Sequence, residues 1–178
     1  MPDFKLGLCV VPFVAAFALS ASTASAQEAD GVRFRGGISA GGGGLFISGY
    51  TFGLGGIDGR LGVQINNLIG VYAQPYASFG GGNISGATGL TGTAGTNVMV
   101  DFTFIDQIFV GAGGGGGIIG NGVPAGQAHL RFGGYPLMRR GDNGIRRRGL
   151  MLGADMSVHF ASGVKLLQPM FSIGYEAY

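Results

Sequence analysis

Apolar residues recur at every second position through most of this chain, and a helical period is missing. Between residues 150 and 160 the set Leu150, Leu152, Ala154, Met156, Val158 and Phe160 alternates with Met151, Gly153, Asp155, Ser157 and His159. A period of two places successive side chains on opposite faces of a β-strand. The pattern therefore predicts an all-β chain whose strands have one apolar and one polar face.

The alternating segments are longer than the strands of soluble sheets, which average about five to six residues. Tilted strands of about nine to eleven residues are needed to cross a bilayer. The predicted strands cover residues 31–42, 56–66, 68–80, 89–104, 107–117, 126–138, 149–161 and 166–178. An even number of strands lets the sheet close, which removes edges that lipid does not tolerate. We therefore predict a closed antiparallel up-and-down transmembrane β-barrel of eight strands.

The predicted connections alternate in length. Three-residue turns that pair Ile65 with Ile69 and Phe104 with Ile108 keep the apolar residues on one face. The other end carries segments 80–88 and 118–125, which we predict to be longer outer loops. Short periplasmic turns with longer outer loops are typical of outer-membrane barrels. Segment 41–55 fits either a surface loop or the extended ends of strands 1 and 2.

Three prolines, Pro75, Pro136 and Pro169, fall inside predicted strands. Proline removes a hydrogen bond of the ladder, so we expect bulges or strand ends near them. Glycine contributes 39 of the 178 residues, and its runs at 41–44 and 113–117 weaken strands entropically.

The first 26 residues have the features of a cleavable secretory signal. Lys5 precedes an apolar run from Leu6 to Leu19, and Ala24-Ser25-Ala26 is a small-x-small cleavage site. We therefore predict a signal peptide over 1–26 and one domain over 27–178. The cysteine at position 9 lies inside the signal, so the exported domain has no disulfide and no thiol chemistry.

The composition argues against a disordered chain and against a nucleic-acid-binding protein. Charged residues make up 11% of the chain and apolar residues 46%, a balance opposite to that of disordered proteins. The net charge is +2, and a large share of the bases lies in the stretch RRGDNGIRRR at 139–148, so no basic groove for nucleic acid is expected. Strand parity places that turn on the periplasmic side. It is a solvated turn, or it contacts acidic lipid headgroups or cell-wall polymers.

The mature chain resembles, in this pattern, the small eight-stranded bacterial outer-membrane barrels of the OmpA-like and OmpX-like group. Its last strand, QPMFSIGYEAY, ends in an aromatic residue. The resemblance implies a Gram-negative outer membrane, contact with its lipid, and recognition of the last strand by the barrel assembly machinery. The assembly and closure residues are then Phe171, Ile173, Tyr175 and Tyr178, with Tyr178 at the membrane interface. No functional residue transfers, because the group has no shared active site.

The polar face of the strands predicts a network that fills the lumen. Its members are Arg33, Arg35, Arg60, Asp101, His129, Arg131, Asp155, Ser157, His159 and Glu176. A strand 6 to 7 hairpin centred on Asn143 sets Arg131 opposite Asp155, His129 opposite Ser157 and Gln127 opposite His159. Closure of strand 8 on strand 1 brings Glu176 near Arg33 or Arg35. Such paired charges close a barrel too narrow for an open pore.

The function predicted from these features is structural. The chain forms an outer-membrane barrel with a largely plugged lumen and surface loops that bind an external partner, without catalytic residues, cofactor or metal. The oligomeric state stays open. The alternatives are a narrow passive channel for small solutes, a secreted soluble β-sandwich, and a lipid-modifying enzyme built on Asp155, Ser157 and His159. The last is disfavoured because i and i+2 residues on a strand lie about 6 to 7 Å apart, wide for a nucleophile and its base.

Overall fold

The computed structural model describes residues 32–47, 49–84, 87–105, 107–140 and 147–178. Its strands are β1 (Arg33–Ile47), β2 (Tyr50–Gln64), β3 (Ile69–Ile84), β4 (Ala87–Phe104), β5 (Ile108–Ile119), β6 (Val123–Arg140), β7 (Arg147–Ala161) and β8 (Val164–Ala177). The predicted signal peptide and residues 141–146 of the arginine-rich turn lie outside the described residues. Within that described part, no helix is long and apolar enough to cross a membrane.

The eight strands form a closed antiparallel barrel in chain order. Strand β8 returns to β1, with Glu176 opposite Gly37. The predicted fold class is therefore confirmed. Both predicted turn registers are also confirmed, because Phe104 pairs with Ile108 and the Ile65 N–H donates to the carbonyl of Ile69 at 2.9 Å.

The outward face of the barrel is an apolar band. Large apolar side chains such as Val98, Phe132 and Ile173 are more than half exposed on it. The described carboxylates all belong to the inward face: Asp58, Asp101, Asp155 and Glu176. The exposed bases lie at strand ends: Arg139, Arg140, Arg148 and Lys165. No charged residue that the structure describes interrupts the band between the two ends.

We call the barrel end with the β2–β3 and β4–β5 turns the base, and the opposite end the rim. The predicted long loops at the rim are wrong. Strands β3 and β4 continue to a gap at 85–86, and β5 and β6 are separated only by 120–122. Segment 41–55 forms the extended ends of β1 and β2. The longest connection, between Arg140 and Arg147, is at the base, so the alternation of lengths is the reverse of the prediction.

The loop prediction failed because glycine-rich sequence resembles loop sequence, whereas here it lies in paired strands. An eight-stranded barrel is only just wide enough for its inward side chains. A Cβ added to Gly113 would lie 2.5 Å from Sδ of Met99, and one added to Gly62 would lie 2.5 Å from Cβ of Tyr72. Inward glycines therefore leave the space that larger side chains of neighbouring strands occupy.

The three prolines differ in their effect on strand pairing. A bulge shifts the β6–β7 register between Gly134 and Leu137, at Pro136, as predicted. The expectation is wrong for Pro75 and Pro169, which sit in unshifted ladders with β4 and β7. On the other side of each of these two prolines the ladder is interrupted without a change of register. The missing N–H of each proline is therefore accommodated by a local loss of pairing on one side of its strand.

Candidate functional site in the barrel lumen

The lumen is polar in the middle and closed by apolar clusters at both ends. The cluster at the rim consists of Leu45, Phe52, Leu54, Ile119, Ala125, Ala161 and Leu166. The cluster at the base consists of Phe109, Tyr135, Met151 and Tyr178. All of these side chains are buried. The clusters act as plugs, with the charged and hydrogen-bonding residues between them.

Arg35 is the centre of the network near the base. Its guanidinium binds Asp101 at 2.7 Å and Glu176 on the other side, and all three side chains are fully buried. The Tyr135 hydroxyl donates to Glu176 at 3.0 Å, and Arg60 lies 3.6 Å from the same carboxylate. Five strands are thus joined through Arg35 on β1 and Glu176 on β8, because their partners Arg60, Asp101 and Tyr135 lie on β2, β4 and β6. Buried charges persist when they are paired in this way.

The sequence predicted that closure of β8 on β1 brings Glu176 near Arg33 or Arg35. In the structure the partner of Glu176 on β1 is Arg35. Arg33 lies closer to the base, is only partly buried, and donates to Oδ1 of Asn67 at 2.7 Å.

Arg131 links this network to the middle of the lumen. The predicted register is confirmed, because Arg131 is opposite Asp155, His129 opposite Ser157 and Gln127 opposite His159. The guanidinium lies 3.8 Å from Asp155 and 3.4 Å from Asp101, and it donates to the Tyr72 hydroxyl at 2.7 Å. One arginine therefore neutralises two carboxylates on different strands.

The sequence analysis missed Asp58. Its carboxylate binds Arg60 at 2.8 Å and accepts a hydrogen bond from the Ser39 hydroxyl. Asp58 is two positions before Arg60 on the same strand, so the period of two already placed it on the inward face. With Asp58 included, Arg35, Arg60 and Arg131 each have two carboxylate partners.

A hydrogen-bonded relay lies above these ion pairs, toward the rim. One ring nitrogen of His129, Nδ1, lies 2.8 Å from Oγ of Ser157, and the other, Nε2, lies 3.2 Å from Oδ1 of Asp155. Ser172 donates to the other oxygen of Asp155 at 2.8 Å. His159 is not part of the relay, because it bonds Gln168 at 2.8 Å. The predicted pairing of His129 on β6 with Ser157 on β7 is therefore formed. The alternative trio within β7, which consists of Asp155, Ser157 and His159, is not formed.

Asp155, His129 and Ser157 are connected in the order of a hydrolase triad, but the two ring nitrogens are exchanged and the space beside them is small. An adjoining cavity of about 40 Å³ is lined by residues of several strands, including Asp58, Gln74, Gln127 and Gln168. A cavity needs about 10 to 15 Å³ for one water, so this one fits a few waters and no lipid chain. The arrangement suits a hydrated polar network better than a substrate site.

Tyr178 is not at the outer interface, contrary to the prediction. It is 3% exposed, its ring centroid lies 6.0 Å from that of Tyr135, and the Arg35 guanidinium is 5.3 Å from its ring centre. It has the same parity as Glu176, and its backbone pairs with Arg147, so the ladder turns its ring inward. The other predicted closure residues do face outward, with exposures of 75% for Phe171, 54% for Ile173 and 50% for Tyr175.

No group of three or more His, Cys, Asp or Glu side chains is arranged to hold a metal ion in the described ranges.

The sequence matches no protein-family model and no curated protein. Solved structures are similar in fold. Neisserial surface protein A (NspA) aligns with a TM-score of 0.52 and 12% identity over 83% of this chain and 98% of its own. Ail, the attachment invasion locus protein of Yersinia pestis, aligns with a TM-score of 0.46 and 18% identity in its complex with the heparin analogue sucrose octasulfate, over 80% of this chain and 98% of its own.

The similarity to NspA and the closed ring of eight strands define the class of fold. This is the fold of the small eight-stranded outer-membrane β-barrels. The resemblance stated from the sequence pattern is thereby confirmed for the fold.

Proposed function

We propose that the chain spans the outer membrane as a closed barrel with a plugged lumen, and that its role is structural. The observation that carries the proposal is the outward apolar band, which no described charge interrupts. A 15-residue strand such as β1, tilted by about 40°, rises about 38 Å at roughly 3.3 Å per residue. This height exceeds the apolar band of about 25 Å in known barrels. In this arrangement charged residues face one another in the lumen and apolar residues face outward, as a lipid environment requires.

The experiment is fractionation of cells that express the full chain, followed by electrophoresis with and without heating. We expect the protein in the outer-membrane fraction, with a folded form that migrates faster until it is heated. A mature chain that stays folded and soluble without detergent would contradict the proposal and favour a secreted protein.

The two apolar plugs argue against the alternative function of a narrow channel. The rim cluster and the base cluster close the lumen with side chains that are at most 8% exposed. We expect the refolded barrel to give no discrete conductance steps in planar bilayers. Regular steps from the wild-type protein would overturn the plugged-lumen part of the proposal, while leaving membrane insertion intact.

We propose further that external contacts are made by the β3–β4 hairpin. The pairing of β4 with β5 begins at Thr93, so the tip of this hairpin extends beyond β5. Leu90 in this tip is 89% exposed. Leu90→Cys should react with an impermeant maleimide on intact cells, whereas Gln107→Cys at the base should not. The opposite labelling would invert the topology.

A further inference from the structure

Two pairs of arginines lie at the base end of β6 and β7. Arg139 is directly opposite Arg148, and Arg140 is directly opposite Arg147. Arg139 and Arg148 are both exposed. Directly opposed residues have Cβ atoms about 4.5 to 5.5 Å apart, and like charges in such positions destabilise a sheet. Arginine stays charged under all relevant conditions, so an anion bound between the two side chains would relieve this repulsion.

The bulge at Pro136 determines which way Arg139 points. Before the bulge, odd positions of β6 such as Arg131 and Tyr135 face the lumen and are buried. The register shift between Gly134 and Leu137 reverses the parity, so that Leu137 pairs with outward Leu150 and Arg139 pairs with Arg148. Bulges commonly change the direction of a side chain in this way. Without the shift, Arg139 would point into the lumen.

The outward surface around this pair changes from apolar to charged within two strand positions. Leu137 is 67% exposed, and Tyr175 of β8, which is opposite Leu150, is 50% exposed. The arginine pair follows immediately on the side of the base. Apolar and aromatic side chains followed by cationic ones match the acyl chains and the interface, and then the headgroup, of a lipid.

We propose that Arg139 and Arg148 bind the phosphate of an anionic phospholipid in the leaflet at the base of the barrel. Arginine forms paired, charge-assisted hydrogen bonds with phosphate oxygens. We favour a lipid over an acidic cell-wall polymer because the pair continues the apolar outward face, on which Leu137 and Leu150 lie beside the acyl chains. This inference rests on the proposed membrane location.

The test uses the full mature barrel in vesicles of phosphatidylcholine and phosphatidylglycerol. The barrel is extracted, and mass spectrometry gives the ratio of the two lipids that remain bound. We expect wild type to retain phosphatidylglycerol preferentially. The double variant Arg139→Gln/Arg148→Gln should reduce that preference roughly thirtyfold, because the attraction of two arginines near an anionic surface is lost. Lys165→Gln is the matched control, since it removes an exposed base at the opposite end.

Several results would overturn the inference. One is equal retention of both lipids by wild type, and another is the same loss in Lys165→Gln. Cosedimentation with purified cell-wall sacculi that the double variant abolishes, without a lipid preference, would assign the pair to a polymer instead. Heat-modifiable migration is measured in the same vesicles. A chain that fails to insert contradicts the proposed function, whereas an inserted chain without lipid preference contradicts this inference alone.

Discussion

Replacing Arg35 tests whether the lumen network holds the barrel together. Its side chain is fully buried and contacts both Asp101 and Glu176, with the Tyr72 ring centre 4.6 Å from the guanidinium. Arg35→Met keeps much of the volume and removes the charge. Glu176 would keep Arg60 at 3.6 Å, and Asp101 would keep Arg131 at 3.4 Å, so both carboxylates lose their nearest cation but not their last one.

Removing one partner of a buried pair costs about 3 to 5 kcal/mol, because the other charge stays buried. We expect a loss of about that size in the free energy of unfolding for Arg35→Met. The double variant Arg35→Met/Glu176→Gln should be more stable than the single one, because the remaining charges stay paired: Arg60 with Asp58, and Arg131 with Asp101 and Asp155.

The measurement is reversible urea unfolding of the refolded barrel in vesicles, followed by far-ultraviolet circular dichroism because the chain has no tryptophan. Lys165→Met, an exposed base at the rim, serves as the control and should change stability by less than about 0.5 kcal/mol. The reasoning is refuted if Arg35→Met is as stable as wild type, or if adding Glu176→Gln lowers stability further.

Three other predictions follow from the lumen. Ser157→Ala should leave the mass spectrum of lipid A unchanged and cost about 1 kcal/mol, since one hydrogen bond to His129 is lost; altered lipid A would instead support the enzyme. Gly113→Ala should impair barrel formation, because its Cβ has no space beside Met99, whereas Gly126→Ala should be tolerated in open space; normal amounts of folded Gly113→Ala would contradict the packing. Tyr178→Ala should cost about 3 kcal/mol through loss of buried contacts, against about 1 kcal/mol or less for outward Tyr175→Ala. The measurement is heat-modifiable migration over a temperature series. Equal losses of stability in the two tyrosine variants would refute the inward position of Tyr178.

The period of two along the chain made much of the barrel predictable. It sorted residues such as Arg35 and Val98 onto opposite faces, and the short turns at Asn66 and Asp106 then fixed the registers. Once two neighbouring strands have a register, the residues directly opposite are determined. This is why the pairing of Arg131 with Asp155, and of His129 with Ser157, could be predicted without a structure.

The predictions failed where composition or analogy was used in place of parity. Segments 80–88 and 118–125 were predicted to be loops because glycine is common in loops, yet their ends are paired strands. Tyr178 was placed outward by analogy with other terminal aromatic residues, although its parity already placed it inward. Asp58 was missed although its parity, two positions before Arg60, already placed it on the inward face.

Thus the sequence by itself determined the strand number, the two faces and the local registers, because these depend on neighbours in the chain and across one hairpin. The tertiary structure decided which distant residues meet. Arg35 reaches Asp101 on β4 because closure of a staggered ring sets residues of non-adjacent strands at the same height. It also decided how the lumen is filled, since the space beside an inward glycine depends on side chains that the opposite wall and the neighbouring strands supply.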